Sequence, residues 1–343
     1  MTRRKFSLIT AVRLSAFLLG GCSKPDYEWV MKIQDKDIPA GIYVMSEMLA
    51  YMQENTAADS TAAAETDENR EARIEEQAVE NLKEYCFVRQ EFEDRNLELT
   101  EETQKAIDEK TRDTWDNVKE VYENNGLTYD EYKEYLTYLC KEDLIFDDIY
   151  LNEDMITKNK DEIAEYLKST ISRVSILGLP FETKDGEKPT EDIMRRLRQT
   201  ARDAVDSLNS GGDYETVANG CICRFAELTD IDRDYLQSEN LLSTSYVNKS
   251  YTGYDEDFKA FIFEMQPGEN KVYETENSIY IVSKLPLDED SRDYDSMIKR
   301  AMHRLKDKEF EAYIEEGVSE YTIEINDEAI SFYAPSKIKI TLN

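Results

Sequence analysis

The chain has 343 residues, with 74 acidic against 42 basic side chains, and carries a formal charge of −32. A field of that sign repels phosphate backbones, which excludes a nucleic-acid-binding function, and the length allows two or three domains. Only one histidine is present, His303. A Ser-His-Asp or Cys-His hydrolase would have to pass through it, so hydrolytic catalysis is not expected.

At the N-terminus, Arg3, Arg4 and Lys5 precede a mostly apolar run from Phe6 to Leu19, interrupted by Arg13. That run, roughly 14 residues long, falls short of the about 20 that cross a bilayer, and its basic start describes a secretory signal instead. The run ends in Leu19-Gly20-Gly21-Cys22, which resembles the bacterial lipobox. The resemblance implies that residues 1–21 are removed, that Cys22 carries diacylglycerol, and that the protein is held on the extracytoplasmic face of the cell membrane. Cleavage there removes four cations (Arg3, Arg4, Lys5, Arg13) and no acid, which moves the charge from −32 to −36. Four cysteines remain, Cys86, Cys140, Cys221 and Cys223. They allow three pairings and the sequence chooses none; free thiols are the default. Cys-x-x-Cys and His-x-x-x-His spacings are absent, so neither metal nor cofactor is expected.

Along the mature chain, Val30 to Ile33 alternates as a strand, and Gln34 to Asp37 reads as a polar turn. Ile42, Met45, Met48, Leu49 and Met52 then recur at helical spacing. Residues 54–66 are low in complexity and read as a loop. Three long helical patterns follow, over 68–95, 101–124 and 129–151, the second and third opened by Thr100 and Thr128 as N-caps. A further helix is expected over 153–169. From Arg173 the period changes, with a strand at Val174 to Leu179 and a helix opened by Thr190 and ended by Ser210-Gly211-Gly212. Beyond it come a short element over 214–218, a cysteine-containing loop, a helix over 255–265, a Pro267-Gly268 turn and a strand over 278–285. A long helix from Ser296 to about Ser319 and strands at 321–325 and 338–342 close the chain. The expected class is α+β: a helical region built from both ends of the chain, interrupted by a small α+β domain.

The interrupting segment resembles the parvulin-type peptidyl-prolyl isomerase domain. Phe258-x-x-Phe261-Ile262-Phe263-x-Met265-x-Pro267-Gly268-Glu269 is similar to that family's helix-to-turn signature, and Val272-x-x-Thr275-x-x-Ser278-x-Tyr280-Ile281-Val282 to its final strand. Val174-Ser175-Ile176-Leu177 resembles the first strand. With the lipobox and the start Leu127-Thr128-x-x-Glu131-Tyr132-x-x-Tyr135-Leu136, the layout resembles the PrsA/SurA-type foldases. The resemblance implies a signal peptide over 1–21, a chaperone-like helical region over 22–172, a parvulin-like domain over 173–286, and a segment over 287–343 that packs back on the helical region.

The family's two facing histidines are replaced by Ser175 and Tyr280, and Cys223 (with Cys221 as the alternative) falls where an acid or cysteine is usual. Phe258 and Met265 match the proline pocket. The implied function is a lipid-anchored foldase or holdase for unfolded secreted polypeptides, with a weakly active or inactive isomerase domain. Ser175 and Tyr280 are expected to share one concave face, and client-holding surface is expected on the apolar faces of the helical region. An active isomerase and a structural lipoprotein with one dedicated partner remain as alternatives.

Overall fold

A computed structural model describes residues 29–58, 67–238 and 242–338. Cys22 and the signal segment lie outside them, as does all of the expected final strand beyond Ile338. The chain divides into two compact units, one holding the chain up to Lys141 together with Glu316 onward, the other Glu142–Glu315. The expected interruption of one unit by another is therefore present, and the class is α+β.

In the discontinuous unit, β1 (Met31–Ile33) and β2 (Lys36–Ile38) form a hairpin whose turn residues Gln34 and Asp35 both take positive φ. The C-terminal β7 (Ile323–Ile325) pairs antiparallel with the other edge of β1, Met31 opposite Ile325. Around this small sheet lie α1 (Ala40–Ala58), α2 (Asp67–Asp94), α3 (Glu101–Asn124) and the first half of α4 (Tyr129–Tyr150). Helix α1 runs on to Ala58, past the expected start of the loop, because Glu54 bonds Arg73 of α2 and the alanines that follow favour helix.

Caps set the ends of α3 and α4. The Thr100 hydroxyl accepts from Thr103 N–H, and Thr128 and Glu131 form a reciprocal capping box. Met31, Ile33, Tyr43, Met48, Leu82, Trp115 and Leu127 belong to one core. The apolar faces of α3 and α4 are spent on it: among the described large apolar residues of this unit, only Tyr129, Leu139 and Ile325 are exposed. After β7 the chain forms α12 (Asp327–Phe332) and a 3₁₀ turn at Pro335–Lys337.

The second unit centres on a four-stranded antiparallel sheet in the order β4-β3-β6-β5: β3 (Ile171–Pro180), β4 (Leu242–Asn248), β5 (Asn270–Glu274) and β6 (Ser278–Leu285). The first and last of these strands are adjacent, Ile176 opposite Val282. One face carries Leu177, Leu179, Ile279 and Ile281 against α7 (Glu191–Asn209) and α8 (Tyr214–Thr229). The other carries Val174, Ile176 and Val282 against α10 (Glu256–Glu264).

Four expectations are corrected here. The single helix over 153–169 is two, α5 (Glu153–Lys158) and α6 (Lys160–Thr170), broken at Asn159, whose side-chain amide bonds the Met155 carbonyl. The cysteine-containing loop is the body of α8, capped by Asp213 and ended by Asp230 at φ 59°. A short α9 (Arg233–Ser238) and strand β4 fill a stretch with no predicted element. Helix α11 (Arg292–Val318) starts a turn earlier than Ser296, because the Ser291 hydroxyl accepts from Tyr294 N–H. No helix among the described residues is long and apolar enough to cross a membrane.

Candidate functional site: an aromatic face on the sheet

Asp255 opens α10 by accepting from Phe258 N–H, which seats Phe258 and Ile262 on the sheet and leaves Phe261 half-buried beside them. Phe258 is 2% exposed, and rings converge on it. Tyr254, Tyr273 and Tyr280 have centroids at 5.1, 4.8 and 4.9 Å from it, and Phe261 lies 5.0 Å from Tyr273. Tyr251, half-exposed at 51%, stands edge-on to Tyr254 at 5.3 Å. The Tyr280 ring lies over Gly178, its partner across β3, where a Cβ would come within 2.8 Å of Cε1. Glycine is needed there to make room for the ring.

The electrostatics of this face are those of neutral phenols. Burial, with Tyr251 and Tyr280 nearby, raises the Tyr254 hydroxyl above its ordinary range; burial, with Asp255 and Asp257 nearby, raises Tyr273. Both remain protonated donors at neutral pH, set among aromatic surfaces that stack on apolar side chains or proline rings.

The expected pairing of Ser175 with Tyr280 is not found. Ser175 pairs with Ser283 and Tyr280 with Gly178, so their positions along the adjacent strands differ by an odd number of steps. Side chains alternate along a strand, so the two residues occupy opposite faces. Ser175 instead shares a polar row across the sheet: its hydroxyl bonds Thr244 at 2.6 Å, and in the neighbouring strands Ser283 bonds Asn270, which bonds Asn209 at the end of α7. Ser175 thereby satisfies a buried polar row.

Cys223 lies half-buried on α8, over the face away from Tyr280, and Cys221 is buried there with its thiol pushed up to about 12 by burial. Among the described residues, Cys86, Cys140, Cys221 and Cys223 form no disulfide with one another. Met265, 1% exposed, caps the end of α10 in the same core as Phe258. Of the predicted site residues, the structure therefore brings together Tyr280, Phe258 and Met265, and separates Ser175 and Cys223 from them. The residues missed were Gly178, Tyr254 and Tyr273. The spacing of Tyr251, Tyr254, Phe258 and Phe261 at three and four residues was the available signal.

His303 is remote from this chemistry. It lies on α11, stacked on Phe146 at 3.8 Å and beside Asp143 and Asp307. The cluster Asp143–Asp147–His303 has ligand spacing, but the Lys299 ammonium bonds both carboxylates at 2.6 and 2.8 Å and supplies their cation.

No family model matches the chain, and no curated protein matches it significantly. Among solved structures it is similar to the foldase protein PrsA of Lactococcus lactis, at 11% identity and a TM-score of 0.38, over 91% of this chain and 100% of that one. It is also similar to the foldase protein PrsA of Streptococcus pneumoniae, at 15% identity and a TM-score of 0.33, over 71% of this chain and 82% of that one.

Proposed function

We propose that this chain is an extracytoplasmic holdase, anchored through lipid on Cys22, that binds apolar segments of unfolded secreted proteins on the aromatic face of its second unit. The observation that carries the reading is the set of half-buried rings, Tyr254, Phe261, Tyr273 and Tyr280, gathered around Phe258 with no histidine, thiol or carboxylate–base pair among them. Rings of this kind offer large, stiff contact area and hydroxyl donors for peptide carbonyls, which suits binding of many sequences. Prolyl isomerisation is a weak or absent activity in this reading. The family network implied by the sequence resemblance needs two facing groups, and Ser175 and Tyr280 lie on opposite faces. Losing ~3 kcal/mol of such a network lowers a rate about a hundredfold.

The test measures suppression of client aggregation and turnover of a prolyl peptide on the same purified protein. Holding is expected with little turnover, and Tyr280→Ala with Tyr273→Ala should reduce holding several-fold. Robust turnover abolished by Phe258→Ala would establish an active isomerase instead. Holding of a single protein and of no unrelated client would establish a dedicated-partner lipoprotein. For the anchor, Cys22→Ser should release the protein from the membrane fraction or leave the signal uncleaved; unchanged fractionation and mobility refute lipidation.

A further inference from the structure

A second feature of the same unit lies at the other end of α10. Helix α6, the start of β3, the end of α10, the end of β6 and the segment leading to α11 enclose a cavity of about 370 Å³. That volume is within the ~300–1,000 Å³ of small-ligand pockets. Leu167, Ile171, Met265 and Leu287 make its wall apolar. Its polar groups are mostly cationic or hydrogen-bonding, in a chain whose acids outnumber its bases by 32.

Lys284 is 8% exposed, and its ammonium bonds the last carbonyls of α10, Ile262 at 3.1 Å and Phe263 at 3.4 Å. No carboxylate of the described residues lies within ion-pairing distance of it. Lys168 reaches the cavity from α6, exposed and likewise without an ion pair. Burial first, and then the Lys168 charge, push the Lys284 ammonium down from its ordinary range, and the more distant Glu269 carboxylate offsets this only in part, so an anion between the two ammoniums would relieve both. The third group is Ser172, 1% exposed, whose hydroxyl has no hydrogen-bond partner among the described residues. Arg173 is engaged by Asp288 and the Pro286 carbonyl, and Glu289 stands exposed at the edge.

We infer that this cavity binds a carboxylate on an apolar body, the carboxylate taken by Lys284, Lys168 and the Ser172 hydroxyl and the body by the Leu167–Met265 wall. Such a ligand is either the free C-terminus of an apolar peptide or a medium-chain fatty acid. The site stands apart from the holding reading, because its readout is the binding of a small molecule.

The experiment is calorimetry on the purified protein with an N-acetylated Leu-Leu-Phe acid, its C-terminal amide, decanoate and decanol. Each acid that binds should do so about tenfold more tightly than its neutral counterpart, the loss expected when a charge-assisted hydrogen bond is removed. Lys284→Met should remove that preference, Lys168→Ala should weaken binding several-fold, and Ala164→Trp, at an exposed wall position, should block entry. Should Lys284→Met fail to fold, the two exposed variants carry the test. Binding by the peptide acid alone assigns the site to chain termini, and by decanoate alone to fatty acids; either upholds the inference. No binding by either acid, equal binding of acids and neutral counterparts, or indifference to Ala164→Trp overturns it.

Discussion

Replacing Gly178 with alanine probes the face on which Tyr280 lies. The new methyl would sit 2.8 Å from Tyr280 Cε1 and 3.0 Å from Cδ1, against about 3.5–4.0 Å for unstrained carbon contacts. The ring cannot simply swing away, because Phe258 at 4.9 Å backs it. Overpacking of this kind costs ~1–3 kcal/mol, while removing a strand glycine returns ~0.5–1 kcal/mol, so Gly178→Ala should destabilise the sheet by about 1–2 kcal/mol. In a Tyr280→Ala background the clash is gone, and the same substitution should become neutral or stabilising by about 0.5 kcal/mol. That reversal of sign is a coupling a double-mutant cycle can measure. Both tryptophans, Trp29 and Trp115, lie in the other unit, so their fluorescence would miss the effect. Amide exchange in β3 and β6, read by mass spectrometry, reports it directly. A Gly178→Ala protein with unchanged or slower exchange, while Tyr280 is present, would refute the register and return Tyr280 to the face of Ser175.

Two further outcomes follow from buried charge. Glu47, fully buried on α1, has its carboxyl pushed up to about 8 by burial first and then by Glu75, against a bond from the Tyr43 hydroxyl that lowers it. The folded state thus holds a proton that the unfolded chain releases near pH 4.5. Stability is highest below that value, falls by several kcal/mol (about 1.4 per unit) as pH rises toward 8, and levels off above it; Glu47→Gln should flatten urea midpoints measured from pH 5 to 8.5. Lys299→Met should cost about 1.5–3 kcal/mol, because it leaves Asp143 and the half-buried Asp147 facing each other without their shared cation. Thermal melts at pH 7 and at pH 4 should show that loss shrinking as Asp147, whose carboxyl is held above its ordinary range chiefly by burial, takes up a proton.

The parts of the fold legible in the sequence were those with local chemistry at their ends. Thr100, Thr128, Thr190 and Asp255 each cap the helix they open, and β6 has the predicted bounds because Ile279 and Ile281 alternate with the other face. Where stability comes from distant partners, local reading failed. Helix α8 runs through Gly220, a poor helix former, because Cys221, Ile222 and Phe225 bury against the sheet and α7. Among its described side chains strand β4 buries only Val247, and it is held by pairing with β3 along its length. The site failed for a related reason. Ser175 and Tyr280 were matched one strand at a time, whereas the face each occupies depends on the register between strands, and one odd step exchanges all the side chains.

The pairing of Met31 with Ile325 gives the chain an order of assembly. A polypeptide that emerges N-terminus first presents β1 and β2 early, yet the second edge of β1 has no partner until nearly the whole sequence has passed. The strands of the second unit, from Ile171 to Leu285, are all available well before that. Its sheet can therefore close while the discontinuous unit still waits for β7, and closing that unit joins segments almost 300 residues apart, the kind of contact that is slow to form. During that interval the unpaired edge of β1 is an extended, hydrogen-bond-hungry segment, open to pairing with another chain.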